Sequence, residues 1–115
     1  MLNHVVLMKF KAGVSEAEID ELEKNLDALP NTIVEIQMYE IGRDIIGSDR
    51  SYDFAIVSLF ANTQALNRYN SHPDHLAVLE KIKKICENII TVDFEGTDAS
   101  DLREKTPDSM LPEDF

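Results

Sequence analysis

The sequence has little of what several common sites and partners require. Its one cysteine, Cys86, excludes an intrachain disulfide and a cysteine-rich metal cluster, and its isoleucine-rich surroundings indicate a small buried side chain. Basic charge is scarce, since 11 Lys and Arg residues stand against 22 Asp and Glu residues and give a formal net charge of −11. A field of that sign repels phosphate backbones and anionic lipid. We therefore expect neither nucleic acid nor a membrane as a partner.

Long apolar runs and cofactor motifs are also missing. No stretch approaches the ~20 apolar residues that span a bilayer, and the first residues predict a short strand where a signal peptide would need a longer apolar region. We expect a cytoplasmic protein. The chain has no glycine-rich nucleotide loop, no nucleophile elbow and no convincing cysteine–histidine pair. We therefore expect no cofactor, and any chemistry would be acid–base work or ligand binding in a small cavity.

The length and composition fit one globular domain followed by a tail. The 115 residues, 43% hydrophobic and 29% charged, provide enough apolar material for a modest core. Residues 1–95 hold the periodic segments. Residues 96–115 form an acidic C-terminal tail with two prolines and little periodicity. We interpret it as a solvated end, with the alternative that Met110, Leu111 and Phe115 dock it onto its own domain or a partner.

Hydrophobic periodicity within residues 1–95 predicts four strands and three helical segments. A capping-box spacing at Ser15 and Glu18 begins the first helix, and Pro30 is expected to end it. Pro73 suits the first turn of the last helix, whose inner stripe and edge are predicted at Leu76, Leu79, Ile82, Lys83 and Cys86. The predicted strands are 2–11, 32–41, 52–60 and 88–95, and a short helix is predicted from Thr63 to about Tyr69.

This order of elements predicts an α+β, ferredoxin-like βαββαβ fold with a four-stranded antiparallel sheet. Both helices of that pattern cover one face of the sheet and leave the other bare. The first and third strands carry apolar residues on both faces, so the bare face would expose a larger hydrophobic patch than monomers usually have. A second copy covers it most simply, because a two-fold interface needs only one self-complementary surface. We therefore expect a homodimer that forms a dimeric α/β barrel.

All three histidines fall at informative positions. His4 lies in the first strand, and His72 and His75 flank Pro73 shortly after Tyr69. Three interpretations remain open. In the structural one, His72 caps the helix and His75 hydrogen-bonds within the turn. In the catalytic one, His75 is a general base kept neutral by the helix dipole, Tyr69 donates to a carbonyl or enolate oxygen, and His4 is a second polar group with His72 adjacent to the pocket. The third is metal binding, for which no third ligand has a convincing spacing, so no metal is expected.

Several strings together resemble the stress-responsive α/β-barrel (Dabb) family. They are HVVLMKFK at 4–11, GRD at 42–44, YD at 52–53, Tyr69 with HPDH at 72–75, and VDF at 92–94. The resemblance covers residues 1 to 95 and implies a dimeric α+β barrel. The family includes plant stress proteins and a plant polyketide cyclase that closes an aromatic ring by an aldol step. By that resemblance the cyclase's base falls on His75, its helper histidine on His4 and one pocket tyrosine on Tyr69. Its second pocket tyrosine falls near Leu26, which has no hydroxyl.

The sequence therefore predicts a stress-responsive A/B barrel protein that forms a homodimer with a small-ligand pocket and no assured catalysis. The ligand would be a small carbonyl or aromatic compound. The alternative is a cofactor-free enzyme, similar to a polyketide cyclase or an isomerase, that uses His75 as general base. A third class is an interaction module that works through the acidic tail.

Overall fold

The computed structural model describes residues 1–96, which form a four-stranded antiparallel sheet and three helices. This is the ferredoxin-like arrangement expected from the sequence, and both β1 and β3 are central in the sheet order β2-β3-β1-β4. Apart from Gly96, the acidic tail predicted at 96–115 lies outside the described residues. In chain order the elements are β1 (Leu2–Phe10), α1 (Glu16–Thr32), β2 (Met38–Arg43), β3 (Phe54–Phe60), α2 (Thr63–Ser71), α3 (Pro73–Ile85) and β4 (Cys86–Glu95).

Helix α1 begins as the sequence predicts and ends later. The Ser15 side chain accepts from the Glu18 backbone N–H while Glu18 bonds back to the Ser15 backbone, which completes the capping box. Pro30 lies inside the helix, so the expectation that it ends the helix is wrong. Its exposed ring costs the last turn one hydrogen bond, which a helix tolerates near its C-terminus. The helix stops at Thr32, and the Ile33 N–H still bonds to Leu29 O at 3.0 Å.

The later end of α1 displaces β2. Residues 32–37 complete the helix and form a turn, so β2 begins at Met38 and not at residue 32 as predicted. The inner stripe of α3 also differs from the prediction: it consists of Val78, Ile82 and Ile85, whereas Leu76 is 46% exposed. At 100° per residue Leu76 lies about 180° around the helix from Ile85 and about 120° from Ile82.

The core lies between the helices and one face of the sheet. In β1 the even-numbered residues face the helices, and β3 adds Phe54, Ile56, Ser58 and Phe60 to the same side. From the helices, Leu22, Leu26, Leu29, Leu66, Tyr69 and Ile82 pack onto these residues. Alternation of side chains along the strands therefore gives the sheet one covered face.

The opposite face of the sheet is apolar and uncovered. Val5 and Leu7 of β1 lie there beside Val57 and Leu59 of β3, all half-buried. At its edges four larger side chains are between 39% and 54% exposed: Met38, Ile90, Val92 and Phe94. This is the bare hydrophobic face that the sequence pattern predicts. Within residues 1–96, no helix is long and apolar enough to cross a membrane.

Arg43, the last residue of β2, forms ion pairs with α1. Its guanidinium donates to Glu16 and Asp20, each at 2.6 Å, and to Glu23. The carboxylates of Glu16 and Glu23 raise the pKa of Arg43 above its ordinary value. The GRD string therefore has a structural role, because its arginine pairs with three carboxylates on one face of α1.

Candidate functional site

A cavity of about 290 Å³ lies between the covered face of the sheet and the helices. Its polar lining includes His4, Tyr69, His75 and Asp93, which come from β1, α2, α3 and β4. The three residues that the sequence singles out as catalytic therefore meet in one space. The remaining wall is formed by Val6, Leu26, Ile56, Asn70, Val78, Leu79, Ile82, Ile89 and Thr91.

His4 is held by a carboxylate on the neighbouring strand. His4 and Asp93 are direct partners in the β1–β4 register, and His4 Nδ1 bonds to Asp93 Oδ1. Because an ionised carboxylate only accepts, Nδ1 carries the hydrogen and Nε2 has the free lone pair in the neutral ring. His4 is only 7% exposed, so a ligand would contact its side chain from within the cavity.

His75 is held in the same tautomer by a neutral partner. Its Nδ1 lies 3.1 Å from the backbone oxygen of Asn70, and a carbonyl only accepts, so Nδ1–H donates and Nε2 is the acceptor. Burial lowers the pKa of His75 below its ordinary value; the hydrogen bond to Asn70 O opposes this shift, and the neighbouring His4 and His72 add to it. The neutral ring expected from the sequence is thus favoured, with burial as the largest cause. The ring lies in the first turn of α3, as predicted.

The Tyr69 ring lies near both His75 and His4. Its ring centroid lies 4.4 Å from that of His75 and 6.1 Å from that of His4, and Phe60 packs on it at 4.9 Å. Burial raises the pKa of Tyr69 to about 12, so its phenol is protonated at physiological pH. Its hydroxyl is a hydrogen-bond donor in a cavity that His4 and His75 also line.

His72 has a structural position. Its Nδ1 accepts from the Asp74 N–H at 3.1 Å and so caps α3, as in the structural interpretation of the histidine cluster. It precedes the helix that carries His75 and does not line the cavity. Among residues 1–96, no group of three or more His, Cys, Asp or Glu side chains is arranged to hold a metal ion.

Asp93 is the residue that sequence reasoning left without a role. The string VDF at 92–94 is part of the resemblance, and alternation along the predicted final strand could have placed Asp93 on the face opposite Val92 and Phe94. Only the β1–β4 register shows that its partner is His4. Leu26, 1% exposed, lines the cavity with an apolar side chain.

Two other depressions lack this chemistry. One of about 190 Å³ lies between α1 and α3, where Lys81 pairs with Glu21 at 3.1 Å. The other, of about 230 Å³, lies beside Arg50 and Tyr52 at the loop between β2 and β3. Neither is lined by a histidine. The cavity under the helices is therefore the candidate functional site.

The fold and the cavity define a class: a small ferredoxin-like protein with an apolar pocket that two histidines and a tyrosine line on one side. Comparison with known families is consistent with this class. The stress responsive A/B barrel domain matches residues 2–96, and the chain belongs to this family.

Individual relatives share both sequence and fold. The chain is 28% identical over 101 residues to the stress-response A/B barrel domain-containing protein HS1 of Arabidopsis thaliana, covering 86% of this chain and 93% of HS1. A dimeric ferredoxin-like protein of unknown function from Thermobifida fusca superposes with a TM-score of 0.75 at 28% identity, covering 81% of this chain and 88% of that one. Two further A. thaliana relatives are longer, and this chain spans 36% and 51% of them.

One relative is an enzyme by name. Olivetolic acid cyclase of Cannabis sativa is 22% identical over 95 residues, which cover 81% of this chain and 94% of the cyclase. The chain is therefore similar both to proteins named for a stress response and to a protein named for a cyclisation.

Proposed function

We propose that this chain forms a homodimer and that the cavity of each protomer binds a small carbonyl compound. The observation that carries the ligand proposal is the meeting of Tyr69, His75 and His4 in one apolar cavity. A carbonyl oxygen would accept a hydrogen bond from the Tyr69 O–H. The branched aliphatic side chains that line the cavity suit the carbon part of the ligand. The cytoplasmic location expected from the sequence is part of the same proposal.

The homodimer is supported by the uncovered face of the sheet. Its apolar side chains come from all four strands and lie on the side opposite the helices. The Thermobifida fusca relative, which shares this fold, is described as dimeric. Two such faces packed together would bury each other and close a barrel between the two sheets.

Calorimetric titration with acetylacetone tests the ligand proposal. Tyr69→Phe keeps the ring and removes the donor. Loss of a neutral hydrogen bond worth about 1 kcal/mol should make the dissociation constant of this variant about fivefold higher. Tyr52→Phe is the matched control, because Tyr52 bonds to Asn88 at 2.8 Å outside the cavity. Binding that is equally strong in all three proteins, or absent from the wild type, would contradict the proposal.

A second candidate is a cofactor-free enzyme that moves a proton on such a compound. The observation that favours it is the tautomer of His75, whose Nε2 lone pair is free because Nδ1–H is committed to Asn70 O. In this reaction Nε2 takes a proton from the carbon next to the carbonyl, and the C–H electron pair forms an enolate whose oxygen accepts from Tyr69. Return of the proton to another carbon completes an isomerisation. Attack of the enolate carbon on a second carbonyl of the same molecule instead closes a ring, and the alkoxide that forms takes the proton from His75.

Deuterium exchange distinguishes binding from catalysis. Acetophenone in heavy water, followed by the NMR intensity of its methyl protons, would exchange faster with the wild-type protein than in buffer if His75 acts as a base. His75→Gln should return the rate to that of buffer, and Tyr52→Phe should leave it unchanged. A wild-type rate equal to that of buffer would leave the binding proposal in place and refute the enzyme for this ketone.

A further inference from the structure

Asp93 gives the candidate cavity a fixed negative charge. Its carboxylate lines the cavity from the edge strand β4, and the side chain is 39% exposed, so a ligand can reach it. Within residues 1–96, no lysine or arginine side chain lines this cavity. A carboxylate or phosphate on a ligand would therefore meet charge of its own sign, with no cationic side chain in the described wall to offset it.

The N-terminus of α3 does not supply the missing positive charge. The N-terminal end of a helix attracts anions through its unsatisfied N–H groups and the helix dipole. Here Pro73 has no N–H, the Asp74 N–H donates to His72 Nδ1 at 3.1 Å, and the Asp74 carboxylate lies in the first turn. The net charge of −11 over the whole chain adds a field of the same sign. Both observations favour a neutral ligand over an anionic one.

Hydrogen-bond acceptors predominate at the polar end of the cavity. His4 Nδ1 is bonded to Asp93, and His75 Nδ1 lies 3.1 Å from Asn70 O, so each neutral ring keeps Nε2 as an acceptor. The Asp93 carboxylate accepts at two oxygens with about four lone-pair sites, so one bond to His4 leaves it the capacity for another. Against these acceptors stands the Tyr69 hydroxyl, a donor that keeps its proton because burial raises its pKa to about 12.

A ligand that matches this lining has to bring a donor of its own. A simple ketone satisfies the Tyr69 hydroxyl but leaves the carboxylate of Asp93 facing apolar atoms, which removes water from that group without replacing it. A hydroxyl group on the ligand replaces the lost water, because its O–H donates to the carboxylate. The two other polar side chains of the lining, Asn70 and Thr91, can either donate or accept and do not change this balance.

We infer that the ligand of this cavity is a neutral hydroxy ketone, whose carbonyl oxygen accepts from Tyr69 and whose hydroxyl donates to Asp93. This inference rests on the proposed carbonyl-binding function and names the class of ligand within it. The two contacts lie within reach of one small molecule, because the ring centroids of Tyr69 and His4 are 6.1 Å apart and Asp93 is bonded to His4. Asp93 is then a specificity-determining residue, which favours a hydroxyl and disfavours an acidic group at the same position of the ligand.

Three phenyl ketones that differ at one position test this specificity. Acetophenone carries a methyl group beside the carbonyl, phenacyl alcohol a hydroxymethyl group and benzoylformate a carboxylate. NMR titrations would measure their dissociation constants at pH 8, where histidine side chains are ordinarily neutral. We expect the wild type to bind phenacyl alcohol at least about tenfold more tightly than acetophenone, as for a hydrogen bond to a charged group, and benzoylformate at least about tenfold more weakly.

Asp93→Asn removes the charge and keeps the shape of the side chain. Its amide oxygen can still accept from His4 Nδ1–H, so the His4 ring keeps its partner. We expect this variant to bind phenacyl alcohol about three- to tenfold more weakly than the wild type does, and benzoylformate at least about tenfold more tightly. Glu95→Gln is the matched control, because Glu95 lies two residues further along β4, its substitution changes the net charge equally, and it does not line the cavity. This control should shift neither dissociation constant by more than about twofold.

The ranking of the three compounds in the wild type does not depend on any variant, and circular dichroism checks that both variants are folded. Three results would overturn the inference. They are equal binding of acetophenone and phenacyl alcohol by the wild type, benzoylformate bound as tightly as acetophenone, and an equal effect of Asp93→Asn and Glu95→Gln. In each of these cases the wild type still binds ketones, so the proposed function stands. Failure of the wild type to bind any of the three compounds would contradict both the carbonyl site and its specificity.

Discussion

Val92→Asp tests the uncovered face of the sheet. Val92 lies on β4 opposite Val5, with its side chain on the face away from the helices, and is 54% exposed. In a two-fold dimer that packs these faces together, both copies of Val92 are buried, so each substitution acts twice. A carboxylate at this position would have to lose its hydration in the interface.

The expected magnitude follows from the exposed fraction. Full burial of a valine is worth about 1.5–3 kcal/mol, and about half of the Val92 side chain remains to be buried. The two copies together therefore contribute about 1.5–3 kcal/mol to the dimer, which corresponds to a dissociation constant about 10- to 100-fold higher in the variant. Desolvation of the new carboxylate adds to this loss, so the range is a lower bound.

Light scattering over a dilution series measures the change. We expect the wild type at twice the 13.0 kDa chain mass and Val92→Asp at the mass of one chain at micromolar concentration. Circular dichroism checks that the variant remains folded. Val34→Asp is the matched control, because Val34 is 84% exposed in the turn between α1 and β2 and lies outside the sheet. A dimer of equal affinity in Val92→Asp, or equal weakening by Val34→Asp, would refute the reasoning.

Three further predictions concern stability. Folding lowers the pKa of His75, so the unfolded chain binds a proton on this side chain more readily than the folded chain does. The contribution of His75 to stability is complete above its ordinary pKa of 6.5 and is lost as the pH falls from there towards the lowered value. In urea titrations, the free energy of unfolding should therefore fall more steeply with decreasing pH in the wild type than in His75→Gln. Arg43→Gln should lower the urea midpoint in low salt and lower it less in high salt, because it leaves three α1 carboxylates without their cation. An equal decrease in both salts would contradict this. Ser15→Ala should lower the free energy of unfolding by about 1 kcal/mol through loss of the α1 cap, and an unchanged urea midpoint would argue against that role.

Local patterns in the sequence determined the element order and the sheet faces. Alternation in β1 and β3 separates the helix-facing residues from the open face, because a strand turns successive side chains to opposite sides. The capping box at Ser15 and the proline at position 73 fix two helix starts through hydrogen bonds and dihedral angles within one turn. The same patterns were less informative at the end of α1, where an exposed Pro30 is compatible with one more half turn of helix.

Only the tertiary structure decided how the site is composed. His4 and Asp93 are 89 residues apart in the chain, and their hydrogen bond exists because β1 and β4 pair in one particular register. The Tyr39 hydroxyl, which is buried with no hydrogen-bond partner among residues 1–96, is likewise a product of core packing, since no sequence pattern states which donor remains without an acceptor. Periodicity reports on neighbours within a few residues, whereas strand register and core packing bring together side chains from distant parts of the chain. The sequence by itself thus determined the fold and the candidate residues His4, Tyr69 and His75, and the packing of sheet against helices decided that they share one cavity with Asp93.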